Sequence, residues 1–207
     1  MTATALAATG SQSLWLVSRG SGLILLVIFS AVMVLGVATR TGSKSASWPR
    51  FAVAELHRTV SLFAVAVLVL HVITAILDPY VSIGWIATVL PFASHYETLA
   101  IGLGALAIDL AGAVLITSLI RNRLGLRTWR TVHYLAYLAW PFAFIHAIRA
   151  APYDSHIWWI TSIEWGCLAA VATAIITRLL SRARPDATGA GPDAGAPGRG
   201  PRARAMR

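Results

Sequence analysis

The chain has 207 residues, of which 57% are hydrophobic, with a mean hydropathy of +0.70 and a formal charge of +9. This composition is far more apolar than that of a soluble globular domain, and the length favours one domain. The basic residues lie between apolar runs and in the C-terminal tail rather than on a soluble face, which argues against nucleic-acid binding. The single cysteine, Cys167, excludes an intrachain disulfide and a CxxC redox pair.

The apolar runs predict an all-α integral membrane bundle within a domain at 14–180. Residues 1–13 form a short Ala/Thr/Ser-rich segment without the positive region of a signal peptide. The connection after the second span has no Lys or Arg and is expected to include a short interfacial segment, and residues 181–207 are expected to be a disordered Ala/Gly/Pro/Arg tail. Spans need roughly 20 apolar residues, and five transmembrane helices are predicted at 14–39, 52–77, 97–120, 131–150 and 157–180.

The distribution of charge predicts the orientation of the bundle. Nearly all Lys and Arg lie in the loops after the first and third spans and in the tail. Basic loops stay in the cytoplasm, so we predict that the N-terminus is outside and the C-terminus is cytoplasmic. The abundance of Ala, Gly, Arg and Pro suggests a GC-rich bacterial genome. Together with the five predicted spans, this predicts a multi-pass protein of a bacterial inner or plasma membrane.

Histidines close two of the apolar segments: His57 and His71 in the second span, and His133 and His146 in the fourth. A histidine inside a membrane helix is costly and usually functional, and neutral imidazole is a common metal ligand. Two pairs on two helices therefore predict four axial ligands, enough for two bis-histidine haems. Without a CxxCH motif these would be non-covalent b haems. The alternative is that the histidines only form hydrogen bonds between helices.

The direction of the spans predicts which histidines share a haem. Spans two and four both run outward, so His57 would pair with His133 on the inner side and His71 with His146 on the outer side, roughly 20 Å away. On a straight helix, the 14-residue step from His57 to His71 places the two side chains within about 40° of each other around the helix axis. The 13-residue step from His133 to His146 separates their side chains by about 140°. Pro141 lies between them and is expected to interrupt that span and kink or rewind it.

The H-x13-H pattern of the second span and the H-x12-H pattern of the fourth resemble the transmembrane domain of the ferric reductase and NADPH oxidase superfamily. The stretches LWLVSRGSGL and AELHRTVSLFAVAVLVLHVITAILDPY are similar to small bacterial ferric reductase-like proteins. The resemblance covers about residues 14–180. It implies two stacked b haems and electron transfer from a cytoplasmic donor, through the inner and outer haems, to an outer acceptor.

Two departures from the larger relatives shape the partners that we expect. Those relatives have an additional leading span and a flavin- and nicotinamide-binding module, whereas the tail of this chain has no G-x-G-x-x-G motif. The resemblance therefore implies a membrane subunit of an oxidoreductase that takes electrons from a separate flavoprotein or from quinol. The acceptor would be ferric iron, oxygen or an extracytoplasmic protein.

Arginines near the two membrane surfaces are candidate partners for the anionic propionates of haem. Arg58 and Arg130 are candidates on the inner side, and Arg19 and Arg149 on the outer side; plain interfacial snorkelling is the alternative for each. Trp140 lies near mid-depth and could sit between the haems, although packing is the commoner role for an aromatic residue in a membrane helix.

Asp109 lies near the centre of the third span, where an ionisable group is by default a functional hypothesis. It could exchange a proton with a quinone or stabilise a haem, but a protonated carboxyl that bonds a neighbouring Ser or Thr is the favoured interpretation. Glu164 in the fifth span has the same two interpretations. His95 and His156, at the outer surface, could contact an acceptor or a metal, although scattered surface histidines usually do neither.

Two other functions remain open from the sequence. One is a quinol-linked cytochrome b with quinone bound near one haem. The other is a membrane anchor or assembly protein that binds no haem and uses its histidines to pack helices.

Overall fold

The computed structural model describes residues 3–41, 49–79, 83–150 and 152–183. Within these ranges every regular element is helical, which confirms the all-α prediction. The tail beyond residue 183 and the loop at 42–48 lie outside the described residues. The elements are α1 (Ala3–Thr41), α2 (Arg50–Leu77), α3 (Trp85–Val89), α4 (Thr98–Leu119), α5 (Leu126–His133), α6 (Ala136–Ala150), a short 3-10 helix (Pro152–His156) and α7 (Trp158–Ala183).

Four of these helices are long and apolar enough to cross a membrane, so the chain is a multi-pass membrane protein. They correspond to the first, second, third and fifth predicted spans. Helix α1 begins at Ala3 rather than at residue 14, because the preceding segment is rich in alanine, the strongest helix former. The four candidate spans are Gln12–Thr39, Arg50–Leu77, Thr98–Leu119 and Trp158–Ser181.

The fourth predicted span is divided into two helices. Helix α5 ends at His133, and α6 begins at Ala136 and has 15 residues. At 1.5 Å per residue α6 is about 22 Å long, which is short of the ~30 Å hydrocarbon core of a bilayer. The sequence placed the interruption at Pro141, but Pro141 lies inside α6 and the break precedes it by one to two turns.

The backbone around this break is wound more tightly than an α-helix. The N–H groups of Leu135, Tyr137 and Leu138 each donate to the carbonyl three residues earlier, at 2.9–3.0 Å. Because proline cannot donate to the carbonyl four residues before it, the adjustment falls in the turn that ends near Tyr137. Each 3-10 step adds about 20° relative to an α-helical step. The tightened turn therefore rotates His146 in the direction that closes the predicted mismatch with His133.

The helices form two antiparallel pairs with a gap between them. Helix α2 packs along α1, and α4 packs along α6. Among the described residues, α1 is the one helix with which α2 makes extensive contact. Helix α1 also contacts α6 and α7, which holds the two pairs together on one side of the gap. The facing surfaces of α2 and α6 are thus held apart.

The core lies between α1, α6 and α7. Trp140 is 4% exposed, stacks on Phe144 with ring centroids 5.3 Å apart, and donates its indole N–H to Ser30 Oγ at 3.0 Å. Ser30 in turn donates to the carbonyl of Leu26 at 2.7 Å. Because the indole N–H has a partner, the ring can be buried without an unsatisfied donor. The cluster contains Leu26, Met33, Trp140, Phe144, Cys167 and Val171.

The connection from α2 to α4 contains the short helix α3 and folds back onto α4. Phe92, just after α3, has a φ of 65° in the left-handed region, which is unusual for a large side chain. Its ring lies over Gly102, where a Cβ atom would be 2.2 Å from Phe92 Cδ1. The absence of a side chain at Gly102 therefore permits this contact, which anchors the connection on α4.

We expect Trp140→Ala to destabilise the helix bundle strongly. Truncation of a buried tryptophan costs about 3–5 kcal/mol, which corresponds to a fall in the melting temperature of roughly 10 °C for a chain of this size. The measurement is thermal unfolding of the detergent-purified protein. Trp158→Ala is the matched control, because Trp158 is 79% exposed. Equal shifts in the two variants would contradict the assigned core.

Candidate functional site

The four histidines of α2, α5 and α6 meet across the gap as two pairs. The rings of His57 and His133 form the first pair, and those of His71 and His146 form the second pair. In both pairs the ring centroids are 6.3 Å apart, and the ring planes are inclined at 68° and 76° respectively. The structure thus brings together the same partners that the span directions predicted.

Three of the imidazole rings are fixed by hydrogen bonds to the backbone of a neighbouring helix. A carbonyl can only accept, so Nδ1 must carry the proton in each case. In a neutral ring Nε2 then keeps its lone pair, as metal-bound histidines require. The bonds run from His57 to Val32 at 3.1 Å, from His71 to Ser18 at 2.9 Å, and from His146 to Ala100 at 2.7 Å.

His133 is positioned by an aromatic neighbour. Its ring centroid lies 5.1 Å from that of Trp129, one turn earlier on α5. Trp129 donates its indole N–H to Ser118 Oγ on α4 at 3.3 Å. The tryptophan therefore links the first pair to α4.

The separation of the rings matches what two imidazoles need to share one metal ion. An imidazole nitrogen lies about 2 Å from a first-row metal. In a five-membered ring with conjugated C–N bonds of about 1.33 Å, each nitrogen lies about 1.1 Å from the centroid. Two rings on opposite sides of one metal would therefore have centroids about 6.2 Å apart, close to the 6.3 Å of both pairs.

The composition of the pairs favours a haem over a bare metal ion. Within the described residues, no three His, Cys, Asp or Glu side chains converge into a group that could hold a metal ion. Two protein ligands are too few for a tetrahedral site, whereas a haem supplies its own equatorial nitrogens and needs only axial ligands. The donor set therefore fits a bis-histidine haem.

One continuous cavity of about 1330 Å³ contains both histidine pairs. It exceeds the roughly 300–1,000 Å³ of an ordinary small-molecule pocket, so it has room for more than one large ligand. All four histidines line it, and its middle is apolar. Lining residues between the two pairs include Leu26, Phe29, Met33, Val65, Leu68 and Ile108.

An ion pair lines the cavity beside the second pair. Arg19 binds Asp154 with an Nη–Oδ distance of 2.5 Å, and the two side chains are 24% and 20% exposed. The guanidinium also lies 4.9 Å from the ring centroid of Trp15. Glu164, 8% exposed, lines the same cavity. Of the two arginines expected on this side, Arg19 is the one at the cavity.

The other arginines proposed from the sequence are more exposed. Arg58 lines the cavity near the first pair, but its side chain is 72% exposed and lies 3.6 Å from Glu55. The described side chains of Arg130 and Arg149 are exposed and do not line the cavity. Snorkelling is the interpretation that their positions favour.

Arg178 is a cavity residue that the sequence analysis missed. It lies on α7, lines the cavity, and donates a hydrogen bond to Tyr137 Oη. Its guanidinium carbon lies 5.6 Å from the ring centroid of Tyr134 and 5.4 Å from that of Tyr137. A signal was present, because Arg178 falls inside the predicted span at 157–180, where a charged residue is costly.

Three other residues singled out from the sequence lie away from the cavity. Trp140 belongs to the core between α1, α6 and α7 and does not line the cavity. His95 and His156 are exposed, and neither lines the cavity.

Asp109 is exposed and likewise does not line the cavity. It follows Gly104, which contacts the ring of His146, by five residues. Five helical steps rotate a side chain by about 140°, so Asp109 lies on the far side of α4. Of the two intramembrane carboxyls singled out from the sequence, Glu164 lines the cavity and Asp109 does not.

The family model described as ferric reductase like transmembrane component matches residues 21–144, more than half of the 207-residue chain. The chain belongs to this family. Membership indicates transmembrane electron transfer, and ferric reductase-like domains generally bind haem. The match includes His57, His71 and His133 and ends two residues before His146. Neither the curated proteins nor the solved structures contain a match to the chain.

We expect the Arg19–Asp154 ion pair to stabilise this ferric reductase-like domain. Asp154→Asn should lower the free energy of unfolding by about 1–2 kcal/mol, because a partly buried guanidinium loses its charged partner, and the melting temperature should fall by about 2–8 °C. Glu55→Gln is the control, since exposed pairs contribute about 0–1 kcal/mol. An unchanged melting temperature in Asp154→Asn would show that the pair contributes nothing to stability.

Proposed function

We propose that this domain carries electrons across the membrane by means of two b haems. His57 and His133 would be the axial ligands of one, and His71 and His146 those of the other. When bound, the haems supply one-electron transfer between the two sides of the bilayer. The observation that carries the proposal is the equal 6.3 Å spacing of two facing histidine pairs along one cavity.

The residues around each pair support this assignment. Hydrogen bonds from Nδ1 to backbone carbonyls hold the rings of His57, His71 and His146 with Nε2 available toward the cavity. The apolar middle of the cavity would cover the macrocycle and exclude water. Arg19 and Arg178, which line the cavity, would neutralise propionates.

The topology in the membrane is part of the proposal. We propose five crossings, with α6 and the turns before it forming the fourth, the N-terminus outside and the C-terminus in the cytoplasm. The excess of basic residues in the connections after α1 and α4 supports this orientation. The first histidine pair would then lie toward the cytoplasm and the second toward the outside.

The electron donor and acceptor follow from this orientation. Ferric reductase-like transmembrane domains typically work with flavin- and NAD(P)H-binding donor domains, so we propose a flavoprotein donor on the cytoplasmic side and ferric iron or an extracytoplasmic protein as the acceptor. For the quinol-linked alternative, Asp109 lies outside the cavity, whereas Glu164 lines it.

We expect about two b haems per chain in the detergent-purified protein. The measurement is pyridine haemochrome quantitation combined with a reduced-minus-oxidised optical spectrum. His71→Ala and His57→Ala should each lower the content to about one, because each change removes one ligand of one pair. His95→Ala should leave it at about two, because His95 is exposed and outside the cavity. A colourless wild-type protein, expressed with adequate haem, would contradict the proposal and favour the membrane-anchor alternative.

We expect residues 123 and 156 to lie on opposite sides of the membrane. In a Cys167→Ser background, Arg123→Cys and His156→Cys each provide one exposed thiol. In sealed right-side-out vesicles, a membrane-impermeant maleimide should label His156→Cys at once and Arg123→Cys only after the vesicles are opened. Labelling of both from the outside, or of neither, would show that the chain does not cross between these residues.

A further inference from the structure

His57, His71 and His146, each bonded to a backbone carbonyl, also contact a glycine on the same helix as that carbonyl. In each case the glycine lies four residues after the carbonyl that accepts the Nδ1 hydrogen bond. Among the described glycines, these are the three that contact a histidine ring. The combinations are Val32 and Gly36 for His57, Ser18 and Gly22 for His71, and Ala100 and Gly104 for His146.

Helix geometry explains the four-residue spacing. The Cα–Cβ bond points toward the helix N-terminus, so a side chain covers the turn that precedes its own residue. A side chain at position n would therefore cover the carbonyl at n−4, and glycine leaves it open. That carbonyl already accepts the N–H of residue n, but it has a second lone pair that can accept the imidazole N–H.

The register of the two antiparallel helices repeats this arrangement. Gly22 and Gly36 are separated by the same 14 residues as His57 and His71. Because α1 and α2 run in opposite directions, Gly36 meets His57 and Gly22 meets His71. Thus α1 has two equivalent contact sites, each a glycine and the carbonyl four residues before it, for the two histidines of α2. Gly104 and the carbonyl of Ala100 on α4 form a third such site for His146.

We propose that Gly22, Gly36 and Gly104 are positioning residues that set the ring plane and the basicity of three haem ligands. This inference rests on the proposed haem function. A methyl group at any of them would push the ring away from its carbonyl and weaken the Nδ1 hydrogen bond. A weaker bond makes the imidazole a poorer electron donor to the iron, so the ferrous state is favoured and the midpoint potential of that haem rises.

The distances predict a graded effect. A Cβ atom would lie 2.8 Å from the nearest ring atom at Gly104, 3.0 Å at Gly22 and 3.3 Å at Gly36. The upward shift in midpoint potential should therefore decrease in the order Gly104→Ala, Gly22→Ala, Gly36→Ala. Gly104→Ala and Gly22→Ala should alter the haem of the second histidine pair, because these glycines contact His146 and His71. Gly36→Ala should alter the haem of the first pair, because Gly36 contacts His57.

The experiment is a potentiometric titration and a low-temperature EPR spectrum of each purified full-length variant. The low-spin ferric EPR signal of a bis-imidazole haem depends on the angle between the ring planes, so it reports ring orientation independently of activity. The His71→Ala protein, which keeps only the first pair, assigns each midpoint to its haem. Matched controls are Gly112→Ala on α4 and Gly166→Ala on α7, where a Cβ atom would meet nothing within 4 Å and would lie outside the cavity.

The expected result is a changed potential and EPR signal of one haem per variant, with both controls like the wild type. If the Gly104→Ala chain does not accumulate, the milder Gly36→Ala variant decides. Gly36→Ala with unaltered potential and EPR signal would overturn the inference, as would controls that change as much as the three variants. A wild-type protein without haem would instead overturn the proposed function, so the two failures are distinguishable.

Discussion

Burial of an imidazole in an apolar helix bundle leaves a polar N–H group that needs an acceptor, and that constraint shapes this domain. An unpaired donor at membrane depth would cost several kcal/mol. In three histidines the acceptor is a backbone carbonyl of the adjacent helix. Those bonds fix the tautomer, the direction of the second nitrogen and the closeness of the helices at the same time. The pairing of α1 with α2 and of α4 with α6 follows the same bonds.

The cavity combines two environments that a large planar cofactor with charged edges requires. Its middle is lined by aliphatic and aromatic side chains such as Leu68 and Phe29, and its lining also includes Arg19 and Arg178. Neither arginine lies free in the cavity, since Arg19 binds Asp154 and Arg178 binds Tyr137. The charges are therefore held in place within an otherwise apolar bundle.

Much of the helical arrangement and the histidine pairing could be predicted from the sequence, because apolar length and residue spacing are local properties. The break at 134–135 could not, since the response to Pro141 depends on how the preceding turn is wound. The sequence also did not reveal which side of its helix each residue occupies. Trp140 and Asp109 were both candidates for the site, but only the packing of whole helices shows that they lie away from the cavity.

Within the described residues α2 packs extensively against α1 alone, and this has a consequence for biogenesis. The facing ligands of each proposed haem come from separate helical hairpins, one built from α1 and α2 and the other from α4 and α6. A haem bound between them would act as a cross-link and would close the gap that protein contacts leave open. Cofactor insertion would then be the last step of folding, and chains made during haem scarcity would expose α2 to membrane proteases. Haem supply would in this way set the lifetime of the protein as well as its activity.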